Sequence, residues 1–149
     1  MSRKVNGSGW VEEAVFDEES GMSIVVKQSK YGTFTGIATL NEEDADVANK
    51  WDGCSFAEAK CDIQIARRKA SMLYQRYLGA RDVYNAVMNS AHDDVPELRA
   101  LEHQVNVMRR NYEAQRSKYR EMRSKYKDYV DKKLDARRSV REKKQPQEV

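Results

Sequence analysis

Two hydrophobic rhythms divide the chain. Between residues 10 and 40 apolar side chains come in short runs bounded by glycine, serine and charged residues, and from residue 56 onward they recur every third or fourth position. The first rhythm predicts three β-strands: Trp10 to Asp17, Met22 to Gln28 around Ile24-Val25-Val26, and Thr33 to Leu40. Glu18-Glu19-Ser20-Gly21 and Ser29-Lys30-Tyr31-Gly32 supply the turns. In the third strand Phe34, Gly36 and Ala38 alternate with Thr35, Ile37 and Thr39. A three-stranded antiparallel meander follows, near the minimum for a stable sheet, so its apolar face needs a helix over it.

The linker to the second rhythm reads as a short acidic helix from Glu42 to Lys50, with Gly53 as a left-handed cap and Val47 and Trp51 covering the sheet. Ser55-Phe56-Ala57-Glu58 has capping-box spacing and predicts a new helix start. That helix carries Phe56, Ala59, Ile63, Ala66, Ala70, Leu73, Tyr77, Ala80, Tyr84 and Val87 in 3-4 alternation. Asn89 to Val95 breaks it, and Pro96 falls in the first turn of another helix, where a missing N–H is harmless. Leu98, Leu101, Val105, Met108, Tyr112, Tyr119, Met122, Tyr126 and Tyr129 form its seam, which shifts by one residue at Val130 and Leu134. A heptad is written almost twice, as Arg116-Ser117-Lys118-Tyr119-Arg120-Glu121-Met122 and Arg123-Ser124-Lys125-Tyr126-Lys127-Asp128-Tyr129.

The short connection makes the two helices an antiparallel coiled-coil hairpin, an alanine-rich seam facing a tyrosine-rich one. The fold class is therefore α+β. Residues 1–54 form the acidic meander with its short helix, residues 55–144 the hairpin with a basic C-terminal arm, and 145–149 a tail. With Val130 and Leu134 beyond the reach of the shorter helix and facing water, a homodimer is expected.

Charge sharpens this picture. Residues 1–55 carry five basic and ten acidic side chains, whereas residues 109–144 carry fifteen basic and six acidic ones. The cations Arg109, Arg116, Lys118, Arg120, Arg123, Lys125, Lys127, Lys132, Lys133, Arg137 and Arg138 flank the tyrosine seam and are the expected contacts with a partner or nucleic acid. The facing helix offers Lys60, Arg67, Lys69, Arg76 and Arg81, with Asp62 the main exception, so cation opposes cation; the acidic sheet region, an acidic protein surface, or nucleic acid or a nucleotide would answer the repulsion, and a solvated surface with local relief from Glu113, Glu121, Asp128 and Asp131 is the alternative.

Catalysis and metal binding find no support in the pattern. Cys54 and Cys61 begin one helix while His92 and His103 lie at the far end of the hairpin, about 40 Å or more away, so no zinc set assembles. The cysteines are expected as reduced thiols. No glycine-rich phosphate loop enters a helix, no serine elbow is present, and Gly32-x-x-x-Gly36 lies in a strand and its turn. No stretch approaches the ~20 apolar residues of a membrane span, so a cytoplasmic protein off the membrane is expected, and the pattern calls for no cofactor or metal.

Gly32-Thr33-Phe34-Thr35-Gly36-Ile37-Ala38, an acidic segment with Asp44, Trp51-Asp52-Gly53-Cys54 and then Ala57-Glu58 leading a long basic helix resembles small accessory proteins of bacteriophages and prophages. The resemblance covers roughly residues 30–70 and transfers no residue role. It implies a context of small non-enzymatic inhibitors of host defence, anti-CRISPR proteins and binders of nucleotide signals among them. The expectation is a non-catalytic phage-type protein that blocks a host protein or nucleoprotein complex. Direct DNA or RNA binding by the basic helix and a structural, assembling coiled coil are the alternatives.

Overall fold

The computed structural model describes residues 9–39, 50–90 and 96–144, and of residues 50, 51, 136–138 and 140–144 the backbone alone. Strands β1 (Trp10–Asp17), β2 (Met22–Ser29) and β3 (Gly32–Thr39) precede helices α1 (Lys50–Ser90) and α2 (Pro96–Lys144). The architecture is α+β: an antiparallel sheet in the order β1-β2-β3 followed by two long helices. At the first turn Gly21 adopts φ 67° and its N–H donates to the Asp17 carbonyl. The pairing of β1 with β2 slips between Val11 and Glu13, leaving Glu12 as an extra residue in β1.

Two compact units make up the chain. One holds the described residues up to Ile65 together with those from Glu121 on, and the other runs from Ala66 to Arg120.

In the sheet-bearing unit the register decides which side chains share a face. Phe16, Ser23 and Ala38 form one cross-strand row, Ala14, Val25 and Gly36 the next, and Val11, Lys27 and Phe34 the third. The start of α1 covers this face, and Val25, Ala38, Phe56, Ala57 and Cys61 are buried there. Glycine is required at two places for the helix to come this close. A Cβ on Gly36 would run into the Ala57 carbonyl oxygen, and one on Gly53 into the Ser23 hydroxyl.

Two expectations change here. The helix does not begin at Ser55; it runs unbroken from Lys50, so Gly53 is an interior residue and not a cap. Its small size serves the contact with Ser23, and Glu58 serves Lys27 instead of a capping box. The short acidic helix from Glu42 and Val47 within it lie outside the described residues, as does the Trp51 side chain. The second correction concerns the end of the seam. Val130 and Leu134 do not face water: Leu134 is 9% exposed inside the core with Val25 and Phe56, and Val130 and Tyr126 pack against it. The one-residue shift in the stripe turns these side chains toward the sheet-bearing core, which removes the reason for which a dimer was expected. Phe56 meets Tyr129 edge to face at 5.8 Å in the same core.

The hairpin unit is simpler. Ala66 opposes Gln115 and Tyr74 opposes Tyr112, so the helices run antiparallel. Ala66 and Ala70 are buried, and the tyrosine rings of residues 74 and 112 lie 4.9 Å apart, small side chains beside large ones. Gln115 sits in the seam between Tyr112 and Tyr119 and its side-chain amide donates to the Ala66 carbonyl at 3.2 Å, satisfying a buried polar group.

Candidate functional site

The cations of α2 fall into three groups. Lys133 is turned inward: its ammonium lies 3.5 Å from the buried Asp52 carboxylate, donates to the Tyr129 hydroxyl at 3.1 Å and sits over that ring. Its ammonium is thus engaged within the sheet-bearing unit, while the side chain stays partly exposed. Lys125 pairs with Glu121 at 2.6 Å, one turn away on the same exposed surface, and its hydrogen bond lowers the Glu121 carboxyl below the ordinary value. Such an exposed pair contributes little to stability and is readily exchanged for another partner.

The third group is free. In the hairpin unit Arg116 and Arg120, four residues apart, are exposed, as is Lys118. In the sheet-bearing unit Arg123 and Lys127 repeat the same spacing, with Lys132 also exposed. Among the described residues none of these six cations forms an ion pair; Arg109 donates to the Asn106 amide oxygen at 3.3 Å. The side chains of Arg137 and Arg138 lie outside the described residues. Residues four apart on a helix are neighbours, so each i,i+4 cation pair presents two like charges side by side. Their mutual repulsion is relieved by an anion, and arginine offers it a bidentate fork.

The acidic pair of α1, Glu58 and Asp62, is engaged with the sheet. Lys27, 1% exposed on β2, donates to Asp62 at 2.6 Å and to Glu58 at 3.1 Å. Burial pulls the Lys27 ammonium down, but the hydrogen bonds and charges of Asp62 and Glu58 outweigh it and leave its pKa raised. Burial holds the Asp62 carboxyl above the ordinary value despite Lys27. The Lys27 direction governs the state of the triad, because its ammonium is the more buried group and takes both carboxylates. The pattern gave one sign of this cluster: Glu58 and Asp62 are an acidic i,i+4 pair at the start of an otherwise basic helix.

Neither thiol of this unit is arranged as a nucleophile. Cys54 and Cys61 are free thiols, and Cys61 is fully buried, donating to the Val25 carbonyl at 3.2 Å. Burial pushes its thiol up to about 11, so the reactive thiolate is not populated near neutral pH. Among the described residues no group of three histidine, cysteine, aspartate or glutamate side chains converges on a metal site, and no helix is long and apolar enough to cross a membrane. Comparison of the chain with protein-family models, curated proteins and solved structures gives no match.

Proposed function

We propose that this is a non-catalytic binding protein of the phage accessory type, which blocks a host defence protein or nucleoprotein complex by applying the exposed cations of α2 to an anionic surface. The observation that carries the reading is the pair of i,i+4 cation couples, Arg116 with Arg120 and Arg123 with Lys127, exposed and without a carboxylate among the described residues. Exposed cations that pair with no described carboxylate favour association with an acidic partner and speed it electrostatically. The phage context comes from the sequence resemblance in residues 30–70 and supplies the kind of partner, a component of host defence.

Direct binding of DNA or RNA is the second reading, favoured by the fact that three of those four cations are arginines, suited to phosphate. Affinity capture from a bacterial lysate, with and without nuclease, separates the two. Capture of one protein that survives nuclease and moderate salt supports the first. Binding that disappears with nuclease, with affinity falling steeply as salt rises, supports the second. A chain carrying Arg116→Glu, Arg120→Glu, Arg123→Glu and Lys127→Glu loses either partner while its helicity is retained. Undiminished capture by that variant refutes both.

A further inference from the structure

The sheet has a second face, and its chemistry is inverted relative to the covered one. The buried side of β2 presents Ser23, Val25 and Lys27, two of them polar. The other side presents Met22, Ile24 and Val26, and in register with Ile24 stand Val15 on β1 and Ile37 on β3. That apolar row crosses all three strands, yet Val15 and Ile37 are each 46% exposed. The described parts of α1 and α2 in this unit pack on the opposite face, through Gly53, Ala57, Cys61 and Leu134. A sheet that buries a lysine and leaves Val15 and Ile37 half exposed is built to be covered a second time.

The charges around the row indicate what covers it. Glu13 and Asp17 lie on this same face, opposite Val26 and Met22, and Glu18 and Glu19 follow in the turn. The three strands contain a single cation, Lys27, and it is buried on the other side. The occupant is therefore apolar along its centre and basic along its flank. Strand addition at an edge is closed off. On β3 the Thr35 and Ile37 carbonyls already accept from the side chains of Gln64 and Lys60, and β1 is bulged at Glu12 and acidic. Stacking of two copies face to face would set carboxylates against carboxylates.

We infer that the outer face of the sheet is a docking surface for an amphipathic helix of a partner protein, apolar along one stripe and flanked by lysine or arginine. A helix on this face completes a helix–sheet–helix sandwich, with Val15, Ile24 and Ile37 meeting its stripe and Glu13 and Asp17 its cations. This surface is separate from the cations of α2, so the two are tested apart.

The test uses the full-length protein, isotope-labelled for NMR, and two synthetic amphipathic helices of about five turns, one of leucine and lysine, the other of leucine and glutamate. The leucine–lysine helix is expected to bind, shifting the amide signals of Val15, Ile24 and Ile37. Affinity should fall at least tenfold in Ile37→Lys and in the Glu13→Lys, Asp17→Lys double variant, and be unchanged by the four α2 reversals. Should Ile37→Lys fail to fold, the milder Val15→Thr, Ile37→Thr pair is expected to lose affinity with its circular dichroism intact. Equal binding of the leucine–glutamate helix, absence of binding by the leucine–lysine helix, or shifts confined to α2 overturns the inference. So does concentration-dependent self-association abolished by Ile37→Lys, which would make the face a contact between copies.

Discussion

Lys27 Nζ lies 2.6 Å from Asp62 Oδ1, tying the central strand to the start of α1 across 35 residues of sequence. The link is asymmetric: the ammonium is sealed from water, whereas Asp62 and Glu58 keep about a quarter to a third of their side-chain surface exposed. Removing the carboxylates strands a buried charge, while removing the lysine leaves two acids that water reaches. Glu58→Gln with Asp62→Asn should therefore lose about 3–5 kcal/mol in urea unfolding. Lys27→Met should lose distinctly less. The reverse order would show that the carboxylates, not the ammonium, carry the burial penalty.

The close approach at Gly36 admits no methyl group, because the obstacle is the backbone carbonyl of Ala57. Gly36→Ala should destabilise by about 1–3 kcal/mol or more, as overpacking does. At Gly53 the obstacle is the Ser23 hydroxyl, a buried group that no hydrogen-bond partner meets. Ser23→Ala alone should be neutral or stabilising. In the Ser23→Ala background Gly53→Ala should cost less than in the native chain. A double-mutant cycle by thermal unfolding measures that coupling, and strict additivity would contradict the contact.

The strands themselves were legible. Alternation and turn residues place them within a residue or two, because each bears its information locally. Which face would be buried was not legible, since Ile24 and Val26 are the more apolar choice and Ser23 and Lys27 are the ones covered. Gly53 and Ser55-to-Glu58 read as a helix stop and start for a similar reason: both serve partners on β2, and long-range partners leave no periodicity. The exposed cations of α2 were visible as a charge pattern, but the withdrawal of Lys133 to Asp52 depends on a contact across most of the chain.

High pH offers a third test. Cys61 is raised to about 11 and Tyr126 is raised, both by burial, so for each the unfolded chain releases its proton first. Lys27 is also raised, and its contribution disappears as pH rises through its folded value. All three make stability fall in alkali, with Cys61 responsible for about 2 kcal/mol between pH 9 and 11. Cys61→Ala should flatten that decline while lowering stability at pH 7. An unaltered pH slope in the variant would assign the decline to Lys27 and Tyr126. Near pH 7 a maleimide should label the partly exposed Cys54 and reach Cys61 only on unfolding.

Leu134 provides a test of the core at the far end of the chain. Leu134→Ala should cost about 2–4 kcal/mol, because the side chain is 9% exposed among Val25, Phe56 and Cys61. Hydrogen exchange should show the loss in the strands. Protection lost only in α2 would mean that Leu134 contributes nothing to the sheet.

The sheet-bearing unit draws on two stretches far apart in the chain, with the whole hairpin unit between them. On a ribosome the strands and the start of α1 emerge long before Leu134 exists, so the core they share stays open on the side that Leu134 fills until the last turns are made. The local contacts of the intervening helices can form early and bring the late segment home, shortening the search that such distant pairing imposes. A premature stop just before residue 120 would thus yield not a smaller working protein but a chain whose core lacks Tyr126, Val130 and Leu134, prone to sticking to its neighbours.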